Sequence, residues 1–133
     1  MRQALKRDAR VLSQLDTFWR VYAKDRSGRV TKAEYLRVHA KFCMTLIPDI
    51  TYEEAARAGE EDWATDSHGS AALSKSAIRN CLFELADLWC VGVSAEEYAL
   101  FLHKLFKRVT VKYVRGKGWE GDAAIGAVDV FCA

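Results

Sequence analysis

Four side chains within ten residues carry oxygens that could together hold a hard cation: Asp25, Ser27, Thr31 and Glu34. Carboxylate and hydroxyl oxygens are the donors that a calcium-like ion collects, roughly six to eight at a time, and Gly28 among them permits the sharp turn such a loop needs. The same stretch works against that chemistry. Lys24, Arg26, Arg29 and Lys32 oppose only Asp25 and Glu34, so segment 23–34 carries a net charge of +2, and a dication is repelled rather than gathered. The competing role for Asp25 is local: its carboxylate accepts N–H groups of a turn whose left-handed residue is Gly28, and Asp66 with Gly69 repeats that pair. No metal is expected; if calcium binds, Asp25, Ser27, Thr31 and Glu34 are the residues that hold it.

Other reactive types are sparser. His39 and Cys43 stand four apart and could face one metal, but no second pair at ligand spacing accompanies them, which favours packing. His68 and His103 are solitary. Cys43, Cys81, Cys90 and Cys132 are widely spaced and read as free thiols. The chain has no G-x-S-x-G, and Gly116-Lys117-Gly118 lacks the spacing and hydroxyl of a phosphate loop. No catalytic residue and no cofactor is assigned, and an enzyme is not expected. A basic run, Lys104, Lys107, Arg108, Lys112, Arg115 and Lys117, contains no acid, whereas residues 49–66 set seven acidic side chains against Arg57. The run is a candidate partner-binding surface for an acidic protein, or a solvated face balanced by the acidic segment. Nucleic acid is a third reading, since Tyr113 and Trp119 form no regular stacking series.

The elements that must position these residues are helices. At 133 residues, half of them apolar, the chain suits one domain with one core. Its first residues are charged, without the apolar run of a secretory signal, and no stretch approaches the roughly 18 apolar residues of a membrane span. A cytoplasmic chain is expected. Val11, Leu12, Leu15, Phe18, Trp19 and Tyr22 make one stripe of a helix over 4–22. A second helix runs from about Thr31 to the turn at Pro48, with Tyr35, Val38, Phe42 and Leu46 on one face. Thr51 with Glu54 opens a third, to about Trp63. Ser74 or Ser76 opens a fourth, whose stripe includes Leu85, Leu88 and Trp89. Ser94 with Glu97 forms a further capping box before a fifth helix to Val109. Val109, Val111 and Tyr113 then alternate, and four glycines follow, so residues 110–133 read as a short strand or an irregular extension.

The two turns share a pattern. Tyr22, Ala23, Asp25, Ser27 and Gly28 match Trp63, Ala64, Asp66, His68 and Gly69, 41 residues further on. Helix, glycine-bearing polar loop, helix, twice, resembles an EF-hand pair of the calmodulin superfamily over about residues 11–90. By that resemblance Val30 is the apolar residue that pairs with the sister loop, Leu73 is its displaced counterpart, and Glu34 is the closing carboxylate. Ala23 and Ala64 stand where the family has its first ligand, and Ala77 where the second loop needs an acid. The fold expected is therefore all-α: an EF-hand-like helix–loop–helix pair plus a fifth amphipathic helix (1–109) and an irregular C-terminal extension (110–133). The function implied is a calcium-independent structural or protein-interaction module in a larger assembly, and cytoskeletal, ciliary or flagellar settings follow from the resemblance alone. A weak calcium sensor is the alternative. An EF-hand pair opens an apolar groove for an amphipathic helix, and the tail Ala123 to Ala133 is one candidate to fill it, in cis or on another chain.

Overall fold

In the computed structural model, which describes residues 2–114 and 127–132, side-chain caps set where the helices begin. Asp8 leaves helical geometry (ψ 134°) and accepts the Arg10 N–H, so the single helix expected over 4–22 is two, α1 (Arg2–Arg7) and α2 (Ala9–Val21). An aspartate that bonds its own backbone competes with the helix, which the apolar stripe did not reveal. Thr31, Thr51, Ser74 and Ser94 then cap α3 (Lys32–Leu46), α4 (Tyr52–Asp66), α5 (Lys75–Trp89) and α6 (Ala95–Val109). Each accepts from the N–H three residues on, a bond that stabilises a helix by about 1 kcal/mol.

At Thr51 the capping box is complete, with the Glu54 carboxylate accepting from Thr51 N–H at 2.9 Å. At Ser94 it is half made. The Glu97 carboxylate turns instead to the N–H groups of Val91 and Gly92, at 3.1 Å each, and braces the loop entering α6. A Cβ at residue 92 would collide with that carboxylate.

The loops after α2 and α4 each turn at a left-handed glycine, Gly28 (φ 81°) and Gly69 (φ 83°). They lie side by side through two short antiparallel strands, β1 (Val30–Thr31) and β2 (Ala72–Leu73), with Val30 opposite Leu73. Both residues are buried. α3 packs on α4, α2 packs on α5, and α6 lies chiefly on α2 with further contact to α3 and α5. Phe18 is the junction: its ring meets Phe42 of α3 at 5.8 Å and Phe106 of α6 at 5.1 Å, both edge-on, and such pairs add about 0.5–1.5 kcal/mol beyond their area.

Beyond α6 the extension is regular where it is described. β3 (Thr110–Val114) and β4 (Ala127–Phe131) pair antiparallel, with Thr110 opposite Phe131. Phe131 is buried, its ring 5.2 Å from that of Tyr22. The end of the chain thus joins the same core as the helices, and the fold is mostly helical with two small ladders.

Candidate functional site

The first elbow closes on itself. Asp25 Oδ1 accepts from Ser27 N–H at 2.8 Å, Ser27 Oγ–H at 2.6 Å and Arg29 N–H at 3.1 Å. These donors, the Ser27 hydroxyl first, hold its carboxyl below the usual carboxylate range. Thr31 Oγ1 is engaged by Glu34 N–H. Glu34 folds back across the loop: Oε2 accepts from Ala23 N–H at 2.9 Å, and both oxygens pair with the Arg37 guanidinium at 3.0 and 3.1 Å. Lys24 Nζ donates to the Trp19 and Tyr22 carbonyls, at 2.5 and 2.8 Å, and lies 4.7 Å over the Trp19 ring.

The loop thus brings Asp25, Ser27, Thr31 and Glu34 together but turns their oxygens to its own donors. These residues do not fit a calcium ion. Ala23 has no side-chain oxygen to offer, and its N–H takes the Glu34 carboxylate, which an EF-hand-like loop would need as its closing ligand.

The second elbow differs. Asp66 is the last residue of α4, and its carboxylate accepts the Tyr35 hydroxyl at 2.8 Å. The turn-bonding role expected of Asp66 is therefore corrected, because a helix-to-helix partner outcompetes the local N–H groups. Two successive left-handed residues, His68 (φ 51°) and Gly69, make the turn. Ala77, at the closing position, donates its N–H to Ser74 Oγ.

Between α3, α4 and α5 lies a groove with a cavity of about 420 Å³. Phe42, Leu46, Leu82 and Leu85 line it, Ile47, Leu88 and Trp89 form its lip, and Asp62, Asp66 and Glu84 give it an acidic edge. Leu88 and Trp89, on the apolar stripe read for this helix, are 77 % and 41 % exposed. Periodicity identifies a face but not whether another element covers it. Phe131 of β4 packs on Tyr22, and residues 123–126 of the tail lie outside the described residues.

One wall carries a polar chain that spacing alone did not show. Cys43 Sγ is 3.5 Å from His39 Nδ1, and His39 Nε2 is 2.7 Å from Asp62 Oδ2 of the neighbouring helix. Gly59 is its trace in the sequence. A Cβ there would stand 3.1 Å from Leu36 Cδ2 and 3.5 Å from His39 Nδ1, so glycine lets α4 close on α3 at this level.

Among the basic candidates, Lys104, Lys107 and Arg108 are exposed neighbours on the last turns of α6. Lys112 follows in β3, opposite Asp129. Arg115 and Lys117 lie outside the described residues. Part of the acidic charge of α4 is matched by α3, through Lys32–Glu60 at 2.9 Å.

Compared with known proteins, the chain matches no family model, no curated protein and no solved structure. Among the described residues no three His, Cys, Asp or Glu side chains are placed to hold a metal. No described helix is long and apolar enough to cross a membrane.

Proposed function

We propose that this chain is a calcium-independent, non-catalytic protein-interaction module: an EF-hand-like pair whose groove receives an amphipathic helix of a partner protein within a larger assembly. The observation that carries this reading is the lip of Leu88 and Trp89, large apolar side chains exposed beside an apolar cavity. Asp62, Asp66 and Glu84 at its edge favour a helix with lysine or arginine flanking its apolar stripe. The loop oxygens, satisfied within the chain, support an elbow that needs no ion to keep its shape. Lys104, Lys107 and Arg108 offer a second contact surface, suited to an acidic protein. A cytoplasmic setting, in a cytoskeletal assembly such as a cilium or flagellum, follows from the resemblance.

Native affinity capture in chelator, with crosslinks mapped by mass spectrometry, tests the reading. A partner helix crosslinked at the groove and lost with Leu88→Asp is the expected result. A chain that stays monomeric and partnerless in native extract counts against it. The calcium sensor is separated by titration calorimetry at millimolar calcium: heat that disappears in Glu34→Ala would establish it. Nucleic-acid binding predicts affinity that falls steeply with salt and with charge reversal at Lys107 and Arg108.

A further inference from the structure

His39 and Cys43 lie one turn apart on α3, and α4 brings Asp62 to them. A carboxylate 2.7 Å from Nε2 fixes the imidazole proton there, which leaves Nδ1 an acceptor 3.5 Å from the thiol sulfur. Tyr35 holds the ring from another side, stacked at 5.6 Å. Cys43 lines the groove cavity beside Phe42, Leu46, Leu82 and Leu85. A thiol, a base in the accepting tautomer, a carboxylate that orients the base and an apolar space for a reactant are thus in one place.

We propose that Cys43 is a nucleophile, with His39 as its base and Asp62 as the positioning carboxylate, and that uncharged, alkyl-bearing α,β-unsaturated carbonyl compounds entering the groove modify it. The Sγ–C bond forms at the β carbon while the C=C π pair shifts toward the carbonyl. The thiol proton passes to His39 Nδ1 and then to the α carbon. This is an addition: nothing leaves, and nothing is oxidised or reduced. The electrophile is neutral because Asp62, Asp66 and Glu84 at the groove edge repel anionic carriers. Burial, with Asp62 nearby, pushes the Cys43 thiol up. It rests protonated, so proton removal in step with bond formation is the route open to it. Two of the other thiols lie near the same helices without an imidazole beside them. Cys81 shares the cavity but is pushed up by burial and Asp66. Cys90 is pushed up to about 11 and donates to the Glu97 carbonyl.

The test is a time course of the whole protein with an alkyne-tagged medium-chain 2-alkenal, followed by borohydride reduction, intact mass and peptide mapping. A single addition at Cys43 is expected. His39→Gln should slow it at least about 100-fold. The His39→Gln rate should climb about tenfold per pH unit with the thiolate fraction, and the wild-type rate should depend on pH less steeply. Asp62→Asn, at a side chain 59 % exposed and so benign to the fold, should slow addition by a smaller factor. Modification of Cys81, Cys90 or Cys132 before Cys43, or rates in both variants within about twofold of wild type, overturns the assignment. Adduct formation needs no partner helix, so failure of the docking reading leaves this result untouched.

Discussion

Replacing Glu34 with alanine asks whether the chain itself closes the first elbow. The Glu34 side chain is 10 % exposed and joins three donors across the loop. A hydrogen bond to a charged acceptor contributes about 1.5–3 kcal/mol, and the low end applies here because Ala23 is exposed and water can replace the carboxylate. The Arg37 pair, at i,i+3 on the surface, adds about 0.3–0.5 kcal/mol. A carboxylate in the first turn of α3 adds about 0.3–1 kcal/mol through the helix dipole, and alanine's better helix propensity offsets a few tenths. The net loss expected is about 2 kcal/mol, or about 6 °C in Tm for a chain of this size. Urea titrations followed by circular dichroism, once in chelator and once in millimolar calcium, should give the same loss. Glu34→Gln should fall between, since its amide oxygen can still accept the Ala23 N–H. The reasoning is refuted if calcium stabilises the wild type and the cost of Glu34→Ala appears only when calcium is present.

Phe131→Ala should cost about 3–5 kcal/mol, because it empties a buried aromatic site against Tyr22; a loss below about 1 kcal/mol in the same titration would mean that β4 does not belong to the core. Asp16 ties α2 to α5 through Arg79 and Lys75, and the Arg79 guanidinium holds its carboxyl below the usual range. A depressed carboxyl contributes stability above its unfolded pKa, about 3.9, and loses it as pH falls through the lower folded value. Asp16→Asn should therefore cost about 0.5–1 kcal/mol at neutral pH, and its stability should approach the wild type's progressively as pH falls below the unfolded value of about 3.9. Leu88→Asp, at a site 77 % exposed, should leave stability within about 0.5 kcal/mol of wild type, so that a loss of partner capture reports the surface and not the fold.

Local chemistry made much of the architecture legible. Thr51 and Ser94, each with a glutamate three residues on, announced two helix starts because a cap acts over three residues, Ser74 or Ser76 marked a third that the structure assigns to Ser74, and Gly28 and Gly69 announced the turns because few other residues adopt their φ. The facing of Val30 and Leu73 was expected from the resemblance of the two loops to an EF-hand pair, not from their residues alone. Most of what stayed hidden depends on partners distant in sequence, with one local exception. Asp8 split a helix by a bond to its own backbone, within a stretch whose stripe gave no warning. Leu88 and Trp89 kept the rhythm of a core face where no described element covers them. Asp62 meets His39 only because α4 folds onto α3 at Gly59, and β3 shows its partner only once the chain has returned at residues 127–131.

Lys24 gives the first elbow a permanence that no dissolved ion supplies. Occupancy by a free ion falls with dilution, whereas an ammonium on a tether, seated on the carbonyls of Trp19 and Tyr22, is present at constant local concentration. Burial lowers its pKa, and the Glu34 carboxylate acts in the opposite sense. A segment wired in this way draws its resting geometry from bonds within the chain, at whatever concentration the chain is present.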